Sequence, residues 1–448
     1  MTQQLKNIVN RIIANQNTTV YLLVICTTFF AKFLGMIKQP YLISKLGASG
    51  SDLFLTSDKP SQIIAAFLVG GTIYSSILPS FTIFYSKEKE VYQEYIKTIG
   101  IIIIFLVVII SLFFGLTLDN LLPFIVDKNT LSRLIAENQY FNFALSCRIL
   151  LTIPTLMAIQ TILGVYLNLK KEFFWFNFSS VVTNFSILCG LFLYNSYLNI
   201  AIFSAFGWLI SCFIILFASI KSGFTLTFFD MKNSIAKHKS HIFEALKLIL
   251  SKVFLLDVTA VALILIVPYK QFEGQIAAFD LGITIQNSLV FLMLSYNYVL
   301  FPQLSLDFHS TNTSEKFQQN IKKLIKINFI IGLICIISTL LLGLLITFIL
   351  QKIGKIGDLG DYIRNIMYLG LPIILLISFK DIVLKYLQIQ KDIKITQFLN
   401  LSSLILLGCT FYFLFFIKFD SGYALMLSLL FSYLPWIYYL VKKITFKS

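Results

Sequence analysis

The sequence predicts an all-α polytopic membrane protein, with about twelve transmembrane helices in two six-helix halves around a central cavity. Three observations lead there. The chain is 57% hydrophobic and only 13% charged, whereas a soluble globular protein is about 45–50% apolar and about 25% charged. Its apolar residues fall in runs near 20 long, the length of a membrane-spanning helix. Outer-membrane strands would alternate polar and apolar residues instead. Finally, the second half of the chain echoes the first.

The runs place spans at about 19–45, 61–85, 95–118, 141–168, 174–194, 199–220, 243–268, 276–302, 324–350, 362–389, 395–417 and 421–441. The first follows a polar start with Lys6 and Arg11. It is too long for a signal peptide and lacks a small-residue cleavage site, so it is expected to stay. The longest polar stretch then sets the organisation: an N-terminal half over 1–220, a cytoplasmic linker over 221–242 and a C-terminal half over 243–448.

The echo is specific. Span two ends in SSILPSF with Pro79, and span eight in YVLFPQLS with Pro302, 223 positions later. Span four leads into YLNLKKEFF and span ten into YLQIQKDIK, with Tyr166 and Tyr386 220 positions apart. A unit with an even number of spans repeats in one orientation, which makes a parallel repeat about an axis along the membrane normal. The basic residues give the orientation. Lys and Arg gather at the N-terminus, in every second loop and at the C-terminus, from Lys87 and Lys89 to Lys442 and Lys443. The positive-inside rule then puts both termini in the cytoplasm.

Net charge is +15, but the lysines sit in short loops between spans, so a nucleic-acid partner is not expected. Cys26, Cys147, Cys189, Cys212, Cys335 and Cys409 all fall in spans without metal-ligand spacing. His238, His241 and His309 fall in polar stretches read as solvated loops. No metal or cofactor is expected. The sequence has no GxxxxGK[ST] phosphate loop, no HExxH and no GxSxG. An enzyme is therefore not the reading; a transporter is.

The candidate functional residues are charges inside spans, where a lysine costs about 2.5–3.5 kcal/mol on insertion scales and so wants a partner or a wet cavity. Lys32 lies midway along the first span, and Lys38, next to Pro40, is within reach of the outer interface. Gly35 and Pro40 suggest a bent helix. Asp52, Asp58 and Lys59 stand at the entrance to the second span. Further along are Arg148, Lys252, Asp257, Asp280, Lys380, Asp381 and Lys385. Asp381 and Lys385 are four apart and can pair on one helix face. Lys252 and Asp257, five apart, need partners on other helices. Asp280 reads as interfacial or buried, and Arg148 as snorkelling or buried. A cationic cavity in a transporter implies an anionic ligand such as a carboxylate, phosphate or diphosphate.

The stretch KFLGMIKQPYLISKLGASGSDLFLTSDKP resembles the first-span signature of the MurJ family of lipid II flippases, within the superfamily of multidrug and oligosaccharidyl-lipid exporters. The matching positions are Lys32, Leu34, Gly35, Lys38, Leu46, Gly47, Ala48, Asp52, Phe54 and Pro60. The proline-marked ends at Pro79 and Pro302, and the paired loops after spans four and ten, are similar too. The resemblance implies a flippase that carries a polyprenyl-diphosphate-linked saccharide, lipid II first, from the inner to the outer leaflet of the bacterial cytoplasmic membrane. Lys32 and Lys38 would bind the diphosphate. Gly35, Asp52 and Lys59 would serve a gate or hinge, and Lys252, Asp257 and Lys380 a cavity or coupling site. Membrane lipids, a coupling ion or the membrane potential, and cell-wall synthesis proteins are the implied partners. The chain departs from the family where both first-span basic residues are lysine rather than arginine, where SQIIAAFLVGG follows without a further arginine, where DLGITIQNS lacks a basic residue, and in having twelve rather than fourteen spans. An O-antigen or capsule flippase stays open, as does a multidrug or cation antiporter. The antiporter needs buried carboxylates, and these spans carry more lysine than carboxylate.

Overall fold

Hydrocarbon leaves backbone groups no water to bond, so a spanning chain satisfies them within helices. The protein was described from a computed structural model, covering residues 16–65, 89–170, 172–226, 230–253, 258–290, 294, 314–352, 357–389 and 392–445. Among these residues the regular structure is helical. In chain order the helices are α1 (Gln16–Ser57), α2 (Lys59–Ile64), α3 (Lys89–Leu116), α4 (Leu118–Ile125), α5 (Lys128–Ala136), α6 (Tyr140–Leu150), α7 (Ile153–Leu169), α8 (Phe173–Leu193), α9 (Tyr197–Lys221), α10 (Met231–Val253), α11 (Val258–Leu265), α12 (275–290), α13 (Ser314–Lys352), α14 (Gly357–Leu369), α15 (Leu371–Ile389), α16 (Ile393–Phe416), α17 (Ser421–Ser432) and α18 (Leu434–Tyr439).

Seven stretches among the described residues are long and apolar enough to cross a membrane, from Gln93–Leu116 to Ser421–Lys442. The pair Leu359–Leu369 and Leu371–Leu387, bent by 41°, makes an eighth if read as one span. The first expected span lies in α1. Those at 61–85, 243–268 and 276–302 run onto residues outside the described set. Large apolar side chains such as Phe105, Leu116 and Phe416 are exposed, as lipid-facing residues are in a protein whose solvent on that side is hydrocarbon.

The chain forms two compact units. One comprises Met1–Lys38, Ser57–Leu121 and Gln139–Val253; the other Gln39–Thr56, Leu122–Asn138 and Phe254–Ser448. The core of the first gathers Tyr95, Ile99, Ile103, Ala158, Ile162, Tyr166 and Ile215 from α3, α7 and α9. The second holds Ile321, Leu324, Val383, Leu387 and Trp436 from α13, α15 and α18. The stretch 221–242 contributes the start of α10 to the first unit rather than only connecting. Ser234, His238 and Ile242 form the buried stripe of α10, four residues apart, and Ser234 Oγ lies 2.6 Å from Thr98 Oγ1 on α3. His238, read from sequence as a solvated loop residue, is therefore buried, its ring edge-on to Tyr95 at 5.6 Å.

The duplication has a structural counterpart in each unit. α7 turns into α8 through a hydrogen bond from Glu172 N to the Leu167 carbonyl at 2.9 Å, and α15 turns into α16 through one from Asp392 N to the Leu387 carbonyl at 3.0 Å. Both donors and both acceptors are 220 positions apart, the offset read from Tyr166 and Tyr386. Each copy also has a break preceded by a helix and followed by a proline near the start of the next: Pro154 opens α7 and Pro372 opens α15.

The first helix has a break that the sequence reading, with its bend at Gly35 and Pro40, did not place. α1 continues through both and becomes non-helical at Gly47, with φ 73° and ψ 178°. That conformation is open essentially to glycine alone. A side chain at Gly47 would meet nothing within 4 Å, so the demand is on backbone torsion, not space. Gly47→Ala should cost about 1–3 kcal/mol and lower the thermal midpoint of the purified protein. Gly35→Ala, whose new methyl would only touch Asn184 Nδ2 at 3.9 Å, should leave the midpoint nearly unchanged. Equal midpoints for the two variants would refute the assignment.

Candidate functional site

Lys32 and Lys38 lie on α1, in the stretch expected from sequence to be the first span. In the first unit this part is held by two asparagines of α8, seven residues apart and so on one face. Asn184 Nδ2 donates to the Ala31 carbonyl at 3.1 Å, and Thr28 Oγ1 donates to Asn177 Oδ1 at 3.3 Å. Lys32 is exposed on its unit and Lys38 half-buried, and their charges are close enough to repel each other. The anchoring asparagines were not singled out from sequence, although polar amides seven apart in an apolar run were the available signal.

Several of the further charged residues selected from sequence have described partners. Lys385 pairs with Asp381 at 2.6 Å within α15, as their spacing suggested. Lys380 stands over the rings of Tyr433 and Trp436, 5.7 and 5.8 Å from their centroids, a cation–π arrangement. Trp436 is itself fixed by a bond from Nε1 to Ser403 Oγ at 2.9 Å. Lys59 is fully buried at the start of α2. Its Nζ donates to Gln62 Oε1 at 2.9 Å, and Gln62 Nε2 donates to Asp58 Oδ2 at 2.8 Å. Arg148 pairs with Asp119 at 2.9 Å. The side chain of Lys252 and residue Asp257 lie outside the described set.

Asp52 is the most connected of the sequence-selected residues. It lies beyond the Gly47 break, between the first two spans, and is 1% exposed. Within the second unit its Oδ2 accepts from Gly274 N at 2.8 Å and its Oδ1 from Ala277 N at 3.0 Å. These are free donors at the start of α12, so Asp52 caps that helix from a different part of the chain. Gly274 has φ +86°, and a side chain there would approach Ala48 to 2.9 Å and Leu359 to 3.0 Å. Only glycine fits the turn that delivers its amide to Asp52. Lys270 Nζ stands 3.6 Å from Asp52 and 3.6 Å from Asp127. Asp280, further along α12, is buried and accepts from Gln39 Nε2.

A second polar cluster lies beside this one in the same unit. Asp420 caps α17 through Gly422 N and Tyr423 N, both at 3.0 Å. It also receives Tyr362 OH at 2.5 Å and Gln275 Nε2 at 3.0 Å. Asp52, Asp127, Lys270, Tyr362 and Asp420 come from the connections after spans one, three, seven, nine and eleven. Their meeting is what alternating span direction requires if these connections share one side of the membrane. Sequence reading picked out Asp52 but not Lys270, Asp127 or Gln275, which sit in loops with no motif around them.

Burial pushes the Asp52 carboxyl up to about 6, outweighing the pull of Lys270 and of the Ala277 and Gly274 amides. A folded-state value above the ordinary 3.8 means that the folded protein binds this proton more tightly than the unfolded chain. The resulting stabilisation is complete below about pH 4 and fades as pH rises through about 6. Asp52→Asn should remove that component, so the stability difference between parent and variant should change between pH 4 and 6 and level off above. Asp52→Ala should cost about 1–3 kcal/mol at neutral pH, the loss of a buried cap. Chemical denaturation across pH checks both, and parallel curves for parent and Asp52→Asn would overturn the assignment.

Comparison with known proteins places this architecture. The family described as lipid II flippase MurJ matches residues 44–443. A probable lipid II flippase MurJ of Borreliella burgdorferi is 26% identical over 188 residues, which is 41% of this chain and 35% of that relative. The chain thus aligns with only about a third of that relative's length. Among solved structures, a lipid II flippase MurJ in an inward closed conformation superposes with a TM-score of 0.70 at 15% identity, covering 94% of this chain and 88% of the other. An inward-facing multidrug resistance MATE transporter gives 0.70 at 11% identity, covering 94% and 96%. At such identities the structures establish the fold, shared by flippase and drug exporter alike, and the sequence match decides between them: this chain belongs to the MurJ lipid II flippase family.

Proposed function

We propose that this protein carries lipid II, the diphosphate-linked peptidoglycan precursor, from the inner to the outer leaflet of the bacterial cytoplasmic membrane. The observation that carries the reading is the family match over residues 44–443. The protein acts as a transporter, not an enzyme, in two six-helix halves with both termini in the cytoplasm. The headgroup enters a cationic cavity while the lipid tail stays in hydrocarbon.

Lys32 and Lys38 bind the diphosphate. Two repelling ammonium groups on an anchored helix are relieved by an anion of charge near −2. Lysine supplies that charge as a compact point rather than a fork. Asp52 serves the outer gate. Its cap on α12 holds the far end of α1 in the closed state, and opening requires Gly274 and Ala277 to lose their acceptor. Lys59, Lys252, Asp257 and Lys380 are assigned by this reading to hinge, cavity or coupling roles, with Lys380 poised on its two aromatic rings. A coupled ion or the membrane potential drives the cycle.

A multidrug or cation antiporter is the less favoured reading. Asp381, a carboxylate such exchange would use, is neutralised in its own helix by Lys385.

Depletion of the protein in its host should cause lipid II to accumulate on the cytoplasmic face. If a different lipid-linked saccharide accumulates, the cargo is reassigned; if none does, transport of this class is refuted. Lys32→Ala and Lys38→Ala should each lower flipping in proteoliposomes by about tenfold or more, the worth of one charge-assisted contact. Lys32→Arg and Lys38→Arg should retain most of it. Full activity in both alanine variants would remove the lysines from the mechanism.

A further inference from the structure

Lys270 does more than accompany Asp52. Its ammonium stands between two carboxylates, each of which already caps a helix. Asp52 caps α12 as described. Asp127 caps α5, its Oδ1 accepting from Thr130 N at 2.9 Å, while its Oδ2 faces Lys270 at 3.6 Å. Lys270 and Asp52 are nearly inaccessible, and Asp127 is largely so. One buried cation therefore joins the starts of α5 and α12.

A second connection runs in parallel. Arg133, near the end of α5, donates through Nη2 to Ser49 Oγ at 2.8 Å and forms an ion pair with Glu273. Ser49 lies just past the Gly47 break in α1, and Glu273 directly precedes Gly274. Both ends of α5 thus grip the elements that the Asp52 cap joins, the far end of α1 and the turn into α12. α5 has an apolar anchor of its own in the buried Thr130 and Leu134. This also accounts for residues 122–138 belonging to the second compact unit, although they lie in sequence between two helices of the first.

We propose that residues 122–138 form a strap that holds the outer gate shut, with Asp127, Arg133 and Lys270 as its positioning residues. The proposal rests on the outward placement and gating role given to Asp52 above. The strap adds ion pairs to the Asp52 cap and the Gln39–Asp280 bond that already join α1 to α12. Opening must break the Lys270 bridge and the Arg133 contacts together.

The test follows gate opening without any lipid substrate. The full-length chain, with its native cysteines replaced by serine, carries Leu55→Cys. Leu55 is buried one helical turn beyond Asp52. Labelling of that cysteine by a membrane-impermeant maleimide is timed in proteoliposomes. Asp127→Asn, Lys270→Gln and Arg133→Glu should each speed labelling by about fivefold or more, the coupling typical of one charge network. Lys270→Arg should label close to the parent rate. Arg133→Glu combined with Glu273→Arg should return toward the parent rate, which a variant that merely misfolds would not do. Unchanged labelling in the single variants, or a double variant that labels no slower than Arg133→Glu, would overturn the strap. If depletion shows no lipid-linked precursor accumulating while the labelling responds as described, the transport reading fails and the strap stands.

Discussion

The constraint behind this structure is the cost of an uncompensated charge or polar group in hydrocarbon. It forces the backbone into helices. It also leaves the lysines and carboxylates within or beside the spans only a few solutions. The second unit shows several. Lys385 has a carboxylate four residues away on its own helix. Lys380 has two aromatic faces. Lys270 has two carboxylates from distant loops. Each is fixed by protein groups, and each fixation joins or stiffens elements. The first unit places Lys32 exposed on a helix whose backbone is held by asparagines.

Much of the architecture was legible because hydrophobic runs and repeats are local or periodic signals. The spans follow from run length. The duplication followed from two matches near one offset, and the paired turns at Glu172 and Asp392 lie 220 positions apart. The Asp381–Lys385 pair followed from helical spacing. The break at Gly47 was missed because Pro40 advertises a bend more loudly than a glycine does. Yet α1 continues through Pro40, while Gly47 takes a torsion that no other residue accepts easily. His238 was misread because its stripe with Ser234 and Ile242 is diluted by the lysines around it. A buried stripe of one serine, one histidine and one isoleucine among lysines gives little apolar periodicity, so it resembles a polar loop.

The cluster around Asp52 was only half legible. Asp52 stood out as a carboxylate between two spans. Its partners are the backbone amides of Gly274 and Ala277 and the ammonium of Lys270, more than two hundred residues away. A backbone amide carries no sequence signature, and a loop lysine in a basic protein is one among many. Gly274 carried a signal in principle, since its positive φ and the crowding by Ala48 and Leu359 admit no side chain. A single sequence cannot separate that glycine from the twenty others in the chain.

The duplicated offset shows how one helix came to serve two purposes. Position 160 in α7 corresponds to position 380 in α15. In the first unit Gln160 Nε2 donates to the backbone carbonyl of Trp208 at 3.2 Å. In the second, Lys380 reaches Tyr433 and Trp436. Both side chains point from the helix after the break toward the last span of their unit, so the contact is shared while the charge is not. Thr161 and Val165 likewise stand where the other copy has Asp381 and Lys385. The second unit thus carries three charges on a helix whose counterpart is neutral at all three positions. In the first unit the lysines singled out from sequence lie on other helices, such as Lys32 and Lys38 on α1 and Lys59 on α2. The charges of α15 are held by an ion pair and two aromatic rings, while the matching positions of α7 need no such partners.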